Sequence, residues 1–476
     1  MSANTGISWT NATWNPVRGC SRISEGCRHC YAERVAARFS GPGQPYEGLA
    51  NRKFKVIGED EQRAEARWTG EVRFVPEHLA DPIRWRKPRQ IFVNSMSDLF
   101  HEKLTNEQIA AVFGVMAACP RHTFQCLTKR PIRMREFLTH PEVRHWIAKA
   151  KDAALVERDH DPRERWEGIP DLPLYEASSH GNIRNRRTTI QLQPQLNEHE
   201  QIGRYTITVY DDGEPTTQFV HRLVLRAFAG KPNFGEEGCH RNGNKTDNRI
   251  ANLRWGTRSD NQKEKVRHGA RGGPAKLTLE QVAQIRKRRA SGDTQQVIAD
   301  AYGVSRSLVS MIENGDVWAE PDIPWPLPNV HLGVSVENQA AADERIPELL
   351  ATPAAVRFLS CEPLLGEIDL SRWLGAGDGD APFWIIAGCE SGPGARPCDV
   401  TWLRSLRDQC AAAGVPFFLK QATEDNRALR PLTARADLDA RCAISFGPGS
   451  KQKSGGVIEL PYLDGVQHAA FPSVTQ

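Results

Sequence analysis

Short apolar runs recur near both ends of the chain, each closing on polar or charged residues and each followed by a stretch with helical spacing. The runs lie at 71–75, 90–95, 123–128, 329–336, 356–362, 383–388 and 416–420, with a weaker first one around 8–14. Between them, residues 106–118, 132–149, 339–350 and 402–412 place apolar side chains three and four positions apart. This alternation predicts parallel βα units. Eight units are what a closed (β/α)8-like barrel of α/β class requires, and an open doubly wound sheet is the alternative.

The rhythm breaks between residue 159 and about residue 322, where Asn-, Gly- and Arg-rich turns and aromatic-capped strands precede short helices. The expected organisation is therefore a barrel in two parts, 1–150 and 325–476. An α+β segment at 160–275 and a small helical segment at 276–318 interrupt it. Such an insert leaves after a helix and returns before a strand, so it would hang from the face opposite the C-terminal strand ends and spare a barrel site there. At 476 residues, more than one domain is expected.

Composition narrows the function classes. Hydrophobic content of 39% with 25% charged residues suits a soluble globular protein, and no apolar run is long enough to span a bilayer. The first fourteen residues lack the basic-then-apolar order of a secretory signal, so a cytoplasmic protein is expected. Charge is uneven: residues 219–289 hold 17 Lys and Arg against 6 Asp and Glu, which favours a polyanionic partner. The cysteines number eleven, and only Cys20, Cys27 and Cys30 cluster, a pattern of metal binding rather than of a disulfide framework.

Within the insert, the informative run is Cys239-His240-Arg241-Asn242-Gly243-Asn244-Lys245, followed by Asn248, Asn252-Leu253-Arg254-Trp255 and Asn261. Phosphodiester hydrolysis needs a water deprotonated near neutral pH, which an imidazole can do, and a cation to stabilise charge on the phosphate. Amide oxygens suit Mg2+ or Mn2+. The order and spacing of His240, Asn252 and Asn261 resemble the ββα-metal fold of HNH endonucleases. That resemblance implies His240 as general base, Asn252 as the residue orienting the loop, and Asn261 as a metal ligand. Several such nucleases carry an Asp immediately before the histidine as a second ligand, where this chain has Cys239, a poor partner for Mg2+. His221, in Val220-His221-Arg222-Leu223-Val224, is the substitute considered, with a hairpin-packing histidine as the other reading.

Flanking segments extend the resemblance. Trp166-Glu167-Gly168-Ile169-Pro170, Tyr175-Glu176-Ala177-Ser178 and Gly181-Asn182-Ile183-Arg184 resemble the small module that precedes phage and homing-type HNH domains. Ala299, Gly303, Val304 and Ser305 are spaced as in a helix-turn-helix, with Gly at the turn and Ser as N-cap. In that arrangement Ser305, Arg306, Ser307 and Ser310 would face the major groove of double-stranded DNA. The alternative is a sequence-specific DNA-binding module whose nuclease has decayed.

In the outer protein, Cys20, Cys27 and Cys30 form a C-x6-C-x2-C run after the first strand. Three thiolates could hold a [4Fe–4S] cluster with one iron open, and zinc with His29 as fourth ligand is the competing chemistry. The placement is similar to that of radical S-adenosylmethionine enzymes, which implies S-adenosylmethionine as a ligand, although their first spacing is three residues rather than six. A closer resemblance is to a phage- and bacterium-associated three-cysteine family of unassigned activity. It rests on Thr128-Lys129-Arg130-Pro131, Gly333-Val334-Ser335-Val336-Glu337, Cys361-Glu362-Pro363-Leu364-Leu365-Gly366, Glu390-Ser391-Gly392 and Phe418-Leu419-Lys420-Gln421. These phrases fall at expected strand ends, so Ser97, Asp98, Lys129, Arg130, Glu337, Glu362, Glu390 and Lys420 are expected to line one pocket.

Overall fold

The computed structural model describes residues 5, 7–56, 62–197, 203–211, 213–267, 277–315, 317–318, 320–374, 383–390, 395–421, 444–445, 462–464 and 466–471. Two compact units divide the chain. One comprises Met1–Ile109, Cys119–His140 and Pro324–Gln476, and the other Ala110–Ala118 and Pro141–Ile323.

The first unit is built on seven strands: β1 (Ala12–Trp14), β2 (Gln90–Val93), β3 (Thr123–Thr128), β4 (Val330–Ser335), β5 (Val356–Cys361), β6 (Phe383–Gly388) and β7 (Phe417–Gln421). They hydrogen-bond in chain order, every pair parallel. Every residue of β4 is buried, as expected of a parallel strand covered on both faces. Gly333 is required in that strand, because a Cβ there would lie 2.5 Å from the Phe358 ring on β5. Trp9, Phe92, Phe358, Trp384 and Phe418 form one aromatic core, with Trp9 and Phe92 ring centroids 4.7 Å apart and Trp9 and Trp384 6.3 Å apart. Strands β2 and β5 to β7 thus share one packed face, so the sheet curls into a half-barrel.

The expected closed barrel does not form among the described residues. The run at 71–75 supplies only Arg73–Phe74, which pairs antiparallel with Val17–Arg18 and stays out of the main sheet. At the far edge, β7 meets the chain's C-terminal segment instead of β1. Leu419 donates to the His468 carbonyl (2.9 Å), Ala470 donates to that of Phe417 (3.2 Å), and Phe418 bridges Ala469 antiparallel. A seventh strand whose outer hydrogen bonds are already taken has no need of an eighth. The single helix expected at 132–149 is also two, Pro131–Leu138 and Val143–Asp159. Pro141 lies between them, and the residue before a proline is disfavoured in helical geometry.

In the second unit, the sheet Trp166–Ile169, Leu172–Ser178 and Ile183–Asn185 shares a core with the helix Val220–Ala229 and with Leu253. Leu172, Tyr175, Ala177, Ile183, Val220, Leu223 and Val224 are all buried there. A hairpin of Glu236–His240 and Leu253–Thr257 leads into the helix Arg258–Arg267. Three further helices, Leu279–Ala290, Gln295–Tyr302 and Arg306–Glu313, close over Val282, Ile285, Ile298, Val309, Ile312 and Trp318. Their starts are set by side-chain caps: Thr278 in a reciprocal box with Gln281, Thr294 accepting from the Val297 amide, and Ser305 accepting from that of Leu308. Gly303 ends the middle helix at φ +63°, where glycine pays no Cβ penalty. Among the described residues, no helix is long and apolar enough to cross a membrane.

Candidate functional site

The hairpin register is regular, with Cys239 opposite Arg254 and His240 opposite Leu253. Successive residues of a strand point to opposite faces, which sorts the expected site residues into two groups. His240 and Gly238 face the helix Val220–Ala229, where a Cβ on Gly238 would lie 2.6 Å from the His221 ring. Cys239 and Glu237 face the other way. On that side, Arg254 reaches Glu264 of the helix Arg258–Arg267 (2.8 and 3.1 Å), and the Asn261 side-chain amide donates to Glu237.

His240 ends its strand and is buried, with Nε2 3.3 Å from Asn248 Oδ1. Its ring centroid is 5.1 Å from that of His221. Burial pushes the His240 pKa down to about 4; the Asn248 hydrogen bond opposes this shift and Arg204 adds to it. Burial, with His240 and two arginines beside it, pushes that of His221 down to about 2. Both imidazoles are therefore neutral near pH 7, the state a general base requires. Among the described residues, neither buried ring nitrogen of His221 has a hydrogen-bond partner.

Asn252 is fully buried and holds the turn between the strands. Its Nδ2 donates to the Asp247 carbonyl (2.7 Å), its Oδ1 accepts from the Asn242 amide (2.9 Å), and its carbonyl accepts from Arg241 (2.8 Å). Asp247 in turn accepts from Asn242 Nδ2 (2.9 Å) and from the Arg249 guanidinium (2.8 and 2.9 Å). The upstream module braces the same turn. Gly181, at φ +92°, packs so closely that a Cβ would meet the Asn248 backbone at 2.8 Å, and Ile250 donates to the Ser179 carbonyl (3.0 Å). Asp247 and Glu237 were not among the residues expected from sequence. The two-residue offset of Glu237 from Cys239, on one strand face, was the signal that could have found it.

The cationic excess of residues 219–289 is partly spent internally. Arg226, Arg241, Arg249, Arg254, Arg286, Arg288 and Arg289 each pair with a carboxylate. Ser305, Arg306 and Ser307 are exposed at the start of the helix Arg306–Glu313, and Ser310 is half-buried.

At the C-terminal ends of the half-barrel strands, Asp98, Arg130, Glu337, Glu362, Glu390 and Lys420 occur in ion pairs, and Lys129 contributes its backbone amide. Asp98 accepts from Thr128 Oγ1 (2.7 Å), the Lys129 amide (3.2 Å) and Arg130 Nη1 (3.1 Å). Glu337 pairs with Arg345 (2.9 Å), Glu362 with Lys420 (2.6 Å) and Glu390 with Arg396 (2.7 Å). Ser97 donates through Oγ to the Val17 carbonyl (2.9 Å). The cysteine loop lies across these ends, with Gly26 donating to Glu337 (3.3 Å) and Glu25 3.4 Å from Arg396. Ser391 and Gly392 lie outside the described residues.

Cys20, Cys27 and Cys30, the expected ligands of a [4Fe–4S] cluster or zinc, lie within electrostatic reach of one another. Among the described residues, no group of three His, Cys, Asp or Glu side chains is arranged to hold a metal ion. Each of the cysteines has a local engagement instead. Cys20 Sγ lies 3.5 Å from the Ser21 carbonyl and 3.9 Å from Arg130, Cys27 Sγ is 3.8 Å from Ser24 Oγ, and Cys30 occupies the N-cap of the helix Tyr31–Arg38. Burial, with Asp98 nearby, pushes the Cys20 thiol up to about 12, and burial also raises that of Cys30, so both are thiols near pH 7.

Two family models match different stretches of the sequence, and the larger match extends into both structural units. A family model described as a protein of unknown function (DUF5131) matches residues 4–171 and 277–472, and one described as HNH endonuclease matches residues 218–263. An uncharacterized HNH endonuclease of Acanthamoeba polyphaga mimivirus is 29% identical over 120 residues, which are 25% of this chain and 34% of that protein. The chain thus spans about a third of that relative's length. A solved structure described as DNA binding and cleavage by the HNH homing endonuclease I-HmuI shows 23% identity and a TM-score of 0.21, over 32% of this chain and 90% of the other. Because the first of these family models matches most of its length and breaks off around the histidine hairpin, the chain belongs to the DUF5131 family of proteins of unknown function and carries an HNH endonuclease domain at residues 218–263.

Proposed function

We propose that the inserted domain hydrolyses phosphodiester bonds in double-stranded DNA. The observation that carries this reading is His240: a neutral, buried imidazole at the end of a hairpin strand, with its turn held rigid by Asn252. A base whose nitrogen is unprotonated near pH 7 can take a proton from water, and a fixed turn keeps it in place without reorganisation. The donors beside the helix Arg258–Arg267 fit a hard divalent ion such as Mg2+ or Mn2+: the Asn261 amide nitrogen donates to the Glu237 carboxylate, and a turn of that amide would present its oxygen beside the carboxylate. When bound, such an ion supplies charge stabilisation at the phosphate. His221 lies on the other strand face against His240, so it is a neighbour of the base rather than a partner of Asn261.

The three capped helices after the hairpin are proposed to bind DNA, the last two as a helix-turn-helix, with Ser305, Arg306, Ser307 and Ser310 at the start of the helix Arg306–Glu313 as the reading residues. Relaxation of supercoiled plasmid in Mg2+ or Mn2+ tests the nuclease. The wild-type chain is expected to nick and His240→Ala to lose nicking by at least a hundredfold, and unaltered activity in that variant would falsify the assignment of the base.

A second reading, a DNA-binding module with a decayed nuclease, is favoured by the buried Cys239 thiol at the position where relatives carry Asp. Under that reading the wild-type chain binds duplex without nicking, and Cys239→Asp gains cleavage. The half-barrel unit shares its unassigned activity with its family, and the paired residues at its strand ends are the proposed place of that activity.

A further inference from the structure

The substitution of Cys for an acid before His240 leaves Asn261 without its expected charged co-ligand. A thiol is a poor donor to Mg2+. The face shared by Cys239 carries another carboxylate. Glu237 lies two residues upstream on a regular strand, so its side chain leaves the strand on the same side as that of Cys239. There it meets Asn261, whose side-chain amide donates to Glu237 Oε1.

The other carboxylates near Asn261 are committed elsewhere. Glu264 is held by Arg254 (2.8 and 3.1 Å). Asp260 caps its helix by accepting from Thr257 Oγ1 (2.7 Å) and the Thr257 amide (3.1 Å). Glu237 makes no ion pair among the described residues, so its charge is not already neutralised by a salt bridge there. A half-buried carboxylate held against an amide is the donor chemistry of a hard cation site, and the Arg204 guanidinium lies within electrostatic reach of it without an ion pair to it among the described residues.

Resting on the nuclease reading above, we propose that Glu237 is the acidic metal ligand of this domain and holds the divalent cation together with Asn261, in place of the residue before His240. Cys239 then has a packing role beside Gly256, where a Cβ would come within 3.3 Å of its Sγ.

The test is Mn2+ binding by the metal-stripped full chain, read as loss of the free Mn2+ electron paramagnetic resonance signal, with and without a nonspecific DNA duplex. Glu237→Gln, which keeps size and loses charge, is expected to weaken binding about 10- to 100-fold. Cys239→Ala is expected to stay within about twofold of wild type, because a thiol contributes little to a hard cation. In the Glu237→Gln background, Cys239→Asp is expected to regain binding, which also shows that the hairpin is folded. Undiminished Mn2+ binding by Glu237→Gln, or loss of binding in Cys239→Ala, overturns this inference alone. A wild-type chain that binds no Mn2+ in either condition overturns it together with the metal-dependent nuclease.

Discussion

Replacing Asn252 with Ala isolates the turn that carries His240. The side chain is fully buried and makes two hydrogen bonds, one to the Asp247 carbonyl at 2.7 Å and one from the Asn242 amide at 2.9 Å. Truncation removes both and leaves a backbone donor and a backbone acceptor without their partners, each at a cost of about 1–3 kcal/mol when water cannot replace the bond. Asn242 and Asp247 are half-buried, so water recovers part of that cost and a total of about 2–4 kcal/mol is expected. The chain has more than one unit, and a single global unfolding energy would not report on one turn. Hydrogen exchange does. At about 1.4 kcal/mol per tenfold, the Arg241 and Asn242 amides should exchange roughly 30- to 700-fold faster in Asn252→Ala, while amides of β4 and β5 stay unchanged. Asn252→Asp keeps the acceptor but sets an oxygen against the Asp247 carbonyl, so it should not restore protection. If those two amides exchange within threefold of wild type in the Ala variant, Asn252 does not hold the turn and its role in orienting His240 is wrong.

Two further outcomes are expected. Burial holds His240 at about 4, and a base works only when unprotonated, so the nicking rate should rise with pH through about 4 and be level from roughly 5.5 to 8. A half-rise near 6.5 in kcat/KM would mean that His240 is solvated as an ordinary histidine. Duplex binding should weaken steeply with added salt, and Arg306→Ala should relax sequence preference more than Arg288→Ala, since Arg288 is already paired with Asp293. Flat salt dependence, or equal effects of the two changes in a site-selection experiment, would count against the helix-turn-helix.

Most strands of the half-barrel were legible because parallel strands buried on both faces read as continuous apolar runs, and β3 and β6 fall where the pattern puts them. Closure was not legible. The run at 71–75 has the composition of a strand, yet its partner is Val17–Arg18, and the pairing that finishes the sheet at β7 comes from residues 468–470, which carry no strand-like pattern. Strand composition says that a segment can pair and says nothing of which edge it will find. The cysteine loop shows a related limit. Spacing brings Cys20, Cys27 and Cys30 onto one loop, and the three thiols lie within electrostatic reach of one another, but the direction of each side chain, which decides what they could hold, is not written in spacing.

In the nuclease hairpin, residue order was enough to pick out His240 and Asn252, because a turn of fixed length returns Asn252 beneath the chain that leaves His240, and the hydrogen bonds at Asn242 and Asp247 follow from that return. The metal side obeys a different rule. Adjacency in sequence to His240 makes Cys239 look like a member of the same cluster, whereas strand alternation puts it on the opposite face, with Glu237, Arg254 and the helix of Asn261. His221 is drawn the other way by the same alternation, toward Gly238 and His240. A strand therefore divides the chemistry: the odd-numbered side carries the oxygen donors and the even-numbered side the imidazoles. A substitution at residue 239 can then be compensated on the same strand only from a position an even number of residues away, and of those positions the described strand offers Glu237.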